Sequence, residues 1–199
     1  MDVDKIIRQK FHVKRHDILP FRGWIETSRA TMHELFAELG FTLGAEVGVH
    51  KGLHARRMLR AIPNLKLLLV DPWSAFGRHS DAHLEGVYQK CRRILDGKNV
   101  EYIRKPSIEA AKEVPDLSLD FVYIDGLHDF DNIMMDLIVW VPKVKIDGII
   151  SGHDYGNSYR FGVIKAVEAY TFAHNIHDYY ITGKVRRATE YPSFLWVKK

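Results

Sequence analysis

Residues 121–137 read FVYIDGLHDFDNIMMDL, and the hydrophobic period changes in the middle of them. Phe121 to Ile124 is an apolar run closed by Asp125, and with Leu119 it gives a strand over 119–125, buried on both faces. Beyond Gly126, the residues Phe130, Ile133, Met134, Leu137 and Ile138 recur at i, i+3, i+4, i+7 and i+8, which lays one apolar stripe along a helix. A strand feeding a helix that must fold back onto it is the unit of an α/β domain.

The same alternation extends outward in both directions. Ser28 reads as an N-cap for a first helix carrying Met32, Leu35, Phe36 and Leu39, which Gly40 stops. Short apolar runs at 43–48, 65–71, 100–103 and 146–151 read as further strands, separated by amphipathic stretches. Strands joined through helices require crossovers, so the sheet is expected to be mainly parallel and covered on both faces. No helix lies between the last two runs, 179–181 and 193–197, which predicts an antiparallel pair at one edge, with 193–197 beside the strand from 146. The expected fold is doubly wound α/β, with a mainly parallel seven-stranded sheet and an antiparallel C-terminal strand. One domain over 25–199 follows an extension, 1–24, whose Phe21 and Trp24 either fold over a ligand as a lid or pack on the sheet edge.

Composition narrows the class. With 199 residues, 46% hydrophobic and 27% charged, the chain suits one folded domain. No apolar run reaches the roughly 20 residues that span a bilayer, and residues 1–10 lack the apolar stretch of a signal peptide, so a cytoplasmic protein is expected. The net charge of +4 is spread over the chain, and nucleic-acid binding is not indicated. A homo-oligomer is compatible with the sequence. The single cysteine, Cys91, falls in a stripe with Leu84, Val87, Tyr88 and Leu95 and reads as core packing.

In an open α/β sheet, ligands bind beyond the carboxyl ends of the strands. The first such end is Glu46-Val47-Gly48-Val49-His50-Lys51-Gly52, where Gly48 and Gly52 let the backbone turn and approach a ligand. The next ends in Asp71, a carboxylate placed to accept the hydroxyl protons of a ribose. Two later ends, Asp125-Gly126-Leu127-His128 and Gly152-His153-Asp154-Tyr155, each offer a carboxylate and an imidazole. Asp125 and Asp154 with His128 or His153 could ligate a divalent metal or take a proton from a hydroxyl. The structural alternatives are a helix cap at His128 and a turn at Asp154. Trp73 suits either a hydrophobic plug or a stacking partner.

These segments, with KPSIEAA over 105–111 and FGVIKAVEAY over 161–170, resemble the class I S-adenosylmethionine-dependent methyltransferases, particularly the small O-methyltransferases that include antibiotic-sugar methyltransferases. The resemblance implies that Glu46, Gly48, His50 and Gly52 hold the methionine part of the cofactor, Asp71 its ribose, and Trp73 and Ser107 the surroundings of its adenine, with Asp125 as the floor. It implies methyl transfer to a hydroxyl of a small-molecule acceptor, with Asp125, His128 and His153 as the catalytic set. Members that use Mg²⁺ place ligands at positions matching Asp125, His153 and Asp154. His153 stands where those members more commonly carry an acidic residue, and His50 where most class I members have glycine. The alternatives are a nicotinamide-dependent oxidoreductase, which would want a third glycine near position 53, and a cofactor-binding module without activity. Acceptor choice is expected to reside in the extension and in the loops 76–83 and 157–161.

Overall fold

The computed structural model describes residues 2–13, 21–25, 29–156, 162–182 and 191–199. Eight strands form one sheet: β1 (Phe21–Ile25), β2 (Leu43–Val47), β3 (Lys66–Val70), β4 (Val100–Ile103), β5 (Leu119–Ile124), β6 (Val144–Gly152), β7 (Asp178–Thr182) and β8 (Phe194–Val197). Around them lie α1 (Val3–Lys10), α2 (Arg29–Glu38), α3 (Leu53–Ala61), α4 (Asp81–Ile94), α5 (Ser107–Ala111), α6 (Phe130–Trp140) and α7 (Val163–Ala173). The strand order is β1-β7-β8-β6-β5-β2-β3-β4. Only β8 runs against its neighbours, pairing Ile149 to Gly152 of β6 with Val197 to Phe194 and meeting β7 at Tyr180 and Ile181.

The seven strands expected from the sequence are all present, and the antiparallel placement of 194–197 beside β6 agrees with expectation. The correction is at the margin. β7 and β8 do not form the edge, because Phe21–Ile25 continues the sheet as an eighth strand parallel to β7. The proposed N-cap Ser28 lies outside the described residues, as does the loop 157–161. Val3–Lys10 of the extension form α1, whose Val3 and Ile7 are buried in the core. Tyr180 donates to Asp4 Oδ1 at 2.6 Å and Arg8 pairs with Asp178 at 3.0 Å, fastening α1 to the sheet.

Period-two alternation sorts the strand side chains between two cores. Phe121 and Tyr123 of β5 join Leu67 and Leu69 of β3 on the side of α1 to α4. Val122 and Ile124 join Ala45, Val47 and Val70 on the side of α5 to α7. Both faces are dry, as the unbroken apolar runs require. The chain steps outward from β2 to β3 and β4, then returns to the other side of β2 as β5. The carboxyl ends of β2 and β5 therefore flank the point where the strand order reverses, the place where an open sheet leaves a crevice. No helix among the described residues is long and apolar enough to cross a membrane.

Gly44 shows how closely this sheet is packed. A Cβ there would lie 2.2 Å from Phe121 Cζ, and the Phe121 ring is hemmed in by Phe36 and Phe41 at centroid distances of 4.6 and 6.1 Å. Gly44→Ala is expected to cost about 1–3 kcal/mol through overpacking, lowering the melting temperature by roughly 3–10 °C. Thermal unfolding followed by circular dichroism checks this, and an unchanged midpoint would mean the ring can move aside.

Candidate functional site

The crevice begins where β2 runs out. Gly48 adopts φ +89°, and a Cβ on it would stand 2.2 Å from the carbonyl oxygen of Asp125, so only glycine lets the two strand ends come this close. The register is fixed by Gly48 N–H donating to Val70 O at 2.8 Å and Asp125 N–H donating to Val47 O at 2.7 Å. The loop that follows is held from the neighbouring strand. Asp71 Oδ2 accepts the N–H groups of Val49 and His50 at 3.1 and 2.9 Å, and its Oδ1 accepts that of Trp73 at 2.8 Å. Trp73 is buried, and its indole N–H donates to His50 O at 2.9 Å, closing the clamp from above. His50 and Trp73 both take positive φ, 50° and 42°, conformations that side-chain-bearing residues adopt only when their surroundings fix them. At the far end of the loop Gly52, φ +72°, packs on Cys91, whose buried thiol is pushed up to about 12 by desolvation and stays protonated.

A cavity of about 360 Å³ opens between this loop and the ends of β3, β4 and β5. Of the residues singled out by sequence, Gly48, His50, Asp71, Trp73, Ser107 and Asp125 share its wall. Glu46 and Gly52 do not. Glu46 is 1% exposed and lies beneath the loop, where Oε1 meets His54 Nδ1 at 2.9 Å; His54 Nε2 in turn lies 3.0 Å from His33 Nε2. Alternation along β2 explains the placement, since Glu46 projects to the side opposite Ala45 and Val47.

The wall also holds a residue that the sequence reading passed over. Asp136, on α6, is 5% exposed, and Ser107 Oγ donates to its Oδ1 while accepting the Trp140 indole N–H at 2.8 Å. Burial pushes the Asp136 carboxyl up to about 6, against the Ser107 hydrogen bond and with a smaller push from Asp129. A sequence signal existed: Asp136 stands on the buried stripe Ile133, Leu137 and Trp140, where a charge is out of place.

At the other side of Asp125 four polar groups converge. His128 Nε2 lies 3.0 Å from Asp154 Oδ2 and 3.8 Å from Asp125 Oδ1. His153 Nδ1 lies 3.1 Å from Asp154 Oδ2 and 3.7 Å from Asp125 Oδ1. The His128 imidazole is held above its ordinary range chiefly by the Asp125 carboxylate, with burial opposing and Asp154 adding. Asp125, His128 and Asp154 can each offer one ligand atom within 4.8 Å of the others. His153 is not in that set. It is 8% exposed, and its Nε2 is buried with no hydrogen-bond partner among the described residues. The helix that follows is capped by Asp129, whose side chain accepts from Asn132 N–H, and not by His128. Thus the carboxylates and imidazoles brought together from two strand ends can hold a proton or a cation beside the cavity.

A family model described as Methyltransferase domain matches residues 45–155. An uncharacterized protein of Sinorhizobium fredii, y4gI, is 26% identical over 119 residues, which take in 55% of this chain and 12% of that protein's length. Among solved structures, a Staphylococcus aureus protein provisionally assigned as a caffeoyl-CoA O-methyltransferase superposes with a TM-score of 0.61 at 13% identity, over 100% of this chain and 93% of its own. The O-methyltransferase NovP gives 0.62 at 19%, over 86% and 79%. An rRNA methylase from Streptococcus thermophilus gives 0.58 at 11%, over 84% and 94%. At these identities the likeness is one of fold.

The buried Asp136 has a measurable consequence. A carboxyl whose pKa is higher folded than unfolded stabilises the fold fully below the unfolded value, and that contribution is lost as pH rises through the folded value. Wild type is therefore expected to lose stability relative to Asp136→Asn between pH 3.8 and about 6, by an amount on the order of 3 kcal/mol. Denaturant unfolding of both proteins across that range tests it; parallel curves would place the Asp136 carboxyl in water.

Proposed function

The chain belongs to the Methyltransferase-domain family, and from that premise we propose that it moves the methyl group of S-adenosylmethionine to a hydroxyl of a small-molecule acceptor. The observation that carries this reading is the Gly48 cradle opening into a cavity beside a cluster of carboxylates and imidazoles. The cofactor fits what is there: glycine at position 48 lets the ends of β2 and β5 close to form one end of the cavity, and the cavity runs from this loop past Asp71 to Ser107. When bound, S-adenosylmethionine supplies an electrophilic methyl on sulfur. The residues then have three tasks.

The first is to hold the cofactor. The loop at Gly48 and His50 faces the methionine part, Asp71 the ribose, and Ser107 and Trp73 the adenine end. A carboxylate offers about four lone-pair sites, and Asp71 already accepts from Val49, His50 and Trp73. One site on Oδ1 remains for a ribose hydroxyl, so Asp71 both shapes the loop and binds. Glu46 acts from below, fixing His54 and the floor of the loop, and Gly52 by letting the chain turn against Cys91.

The second task is alignment of the acceptor oxygen with the methyl, which is most of the catalysis in a displacement of this kind. The third is to take the hydroxyl proton. His128 supports this reading best, because Asp125 and Asp154 stabilise the imidazolium formed once it has the proton. His153 sits behind the same carboxylates and orients them. A divalent cation such as Mg²⁺ is the second reading, favoured by the convergence of Asp125, Asp154 and His128 within 4.8 Å. Two carboxylates suit Mg²⁺, while the imidazole suits softer transition metals better. A nicotinamide-dependent reaction has less support, since residue 53 is leucine and β8 breaks the all-parallel pattern.

Two measurements test this. Asp71→Ala is expected to weaken S-adenosylhomocysteine binding at least tenfold in calorimetry, since it removes a charge-assisted hydrogen bond to the ligand worth about 1.5–3 kcal/mol and, with it, the anchor of the loop. A change under threefold would refute the assignment. His128→Ala and Asp154→Ala are expected to lower kcat by roughly 10²–10⁴-fold with cofactor affinity nearly unchanged. In wild type kcat should rise with pH through an ionisation above the ordinary histidine value of about 6.5, because His128 is raised. Loss of turnover on chelation would transfer the role to a metal, and full turnover in both variants would end both readings.

A further inference from the structure

The second oxygen of Asp136 carries a further assignment. Trp140 Nε1 can only donate, and it donates to Ser107 Oγ at 2.8 Å; the Ser107 hydroxyl in turn donates to Asp136 Oδ1. That relay from α6 through the start of α5 and back fixes the plane of the carboxylate. Oδ2 is turned toward Gly126, 3.4 Å from where a Cβ on that residue would stand, and it has no donor among the described residues. Gly126 leaves this space to the cavity. The surrounding wall is apolar, formed by Pro106, Ile108, Leu127 and Met135.

A slot with apolar walls and the Asp136 carboxylate fixed at one side is complementary to a flat aromatic ring that bears an N–H donor on its edge. Desolvation already holds this carboxyl at about 6, so at neutral pH it is ionised but short of donors, and a ligand N–H would supply one. Resting on the reading of the cavity as an S-adenosylmethionine site, we propose that Asp136 is a specificity-determining residue whose Oδ2 accepts a hydrogen bond from the 6-amino group of the cofactor's adenine. Ser107 is then a positioning residue that aims the carboxylate, and Trp140 aims Ser107. Sites built around a ligand N–H discriminate strongly against the analogue that lacks it, because the acceptor is left buried and unpaired.

The test is calorimetric and needs no turnover. The full chain at pH 8 is titrated with S-adenosylhomocysteine and with its analogue carrying hydrogen in place of the 6-amino group. Wild type is expected to prefer the amino compound by at least about tenfold. Asp136→Ala should bring the two affinities within about threefold of each other, and Asp136→Leu, which occupies similar space without an acceptor, should do the same; melting curves confirm that each variant is folded. Equal affinities in wild type would overturn the proposal whatever the variants do, as would a preference that survives both substitutions. Failure of wild type to bind either compound would overturn the cofactor reading and this proposal with it, whereas equal binding of both leaves that reading standing.

Discussion

The passage of the backbone at Gly48 past the carbonyl of Asp125 is the constraint on which the upper face of this molecule depends. With 2.2 Å between that oxygen and the nearest place a Cβ could be, β2 and β5 close to a separation no other residue would allow. Because the residue takes φ +89°, the chain leaves β2 at an angle that throws the loop over β3. Asp71 then meets that loop with a carboxylate that accepts the N–H groups of Val49 and His50, and it also accepts that of Trp73. A close passage and an anionic clamp beside it are two halves of one device. The same closeness sets Asp125 at once on the cavity wall and beside His128 and Asp154.

Much of this was legible in the chain. The strand ends at Gly48, Asp71, Asp125 and Asp154 were found by period and position alone, because in a parallel sheet the loops that follow strands must all open on one side. What the sequence could not give was direction within that side. Glu46 is one residue from the cavity wall, but a strand turns each successive side chain through the sheet, and Glu46 faces His54 under the loop. Asp71 was read as a ribose ligand; that its oxygens are already accepting amides from its own protein follows from a loop path invisible in one dimension. β1 escaped for a different reason. The run FRGWI holds an arginine and a glycine and lacks alternation, so its strand state is imposed by β7 and not by local preference.

Polar groups buried beneath the site divide into two sets with different demands. In the His33–His54–Glu46 chain one imidazole nitrogen faces the other at 3.0 Å, and His54 Nδ1 meets Glu46 Oε1 at 2.9 Å beneath the loop. Asp136 with Ser107 and Trp140 is open-ended, its donors all coming from one side. The first network braces the floor of the loop, and the second reaches the cavity wall through Ser107 and Asp136. NovP and an rRNA methylase share the sheet at 19% and 11% identity, and the sheet is indifferent to what is brought against its edge.

The antiparallel strand β8 has a consequence for assembly. β1 and β7 join the rest of the sheet through β8 alone, and β8 is drawn from residues 194–197, far along the chain from its partner at 149–152. Until β8 docks, Ile149 and Ile150 lie on an edge whose backbone groups turned away from β5 are available to a stranger. A nascent chain therefore carries a sticky border throughout the synthesis of everything between Gly152 and Phe194. Folding of this molecule is a race between that late arrival and intermolecular pairing, and one strand decides it.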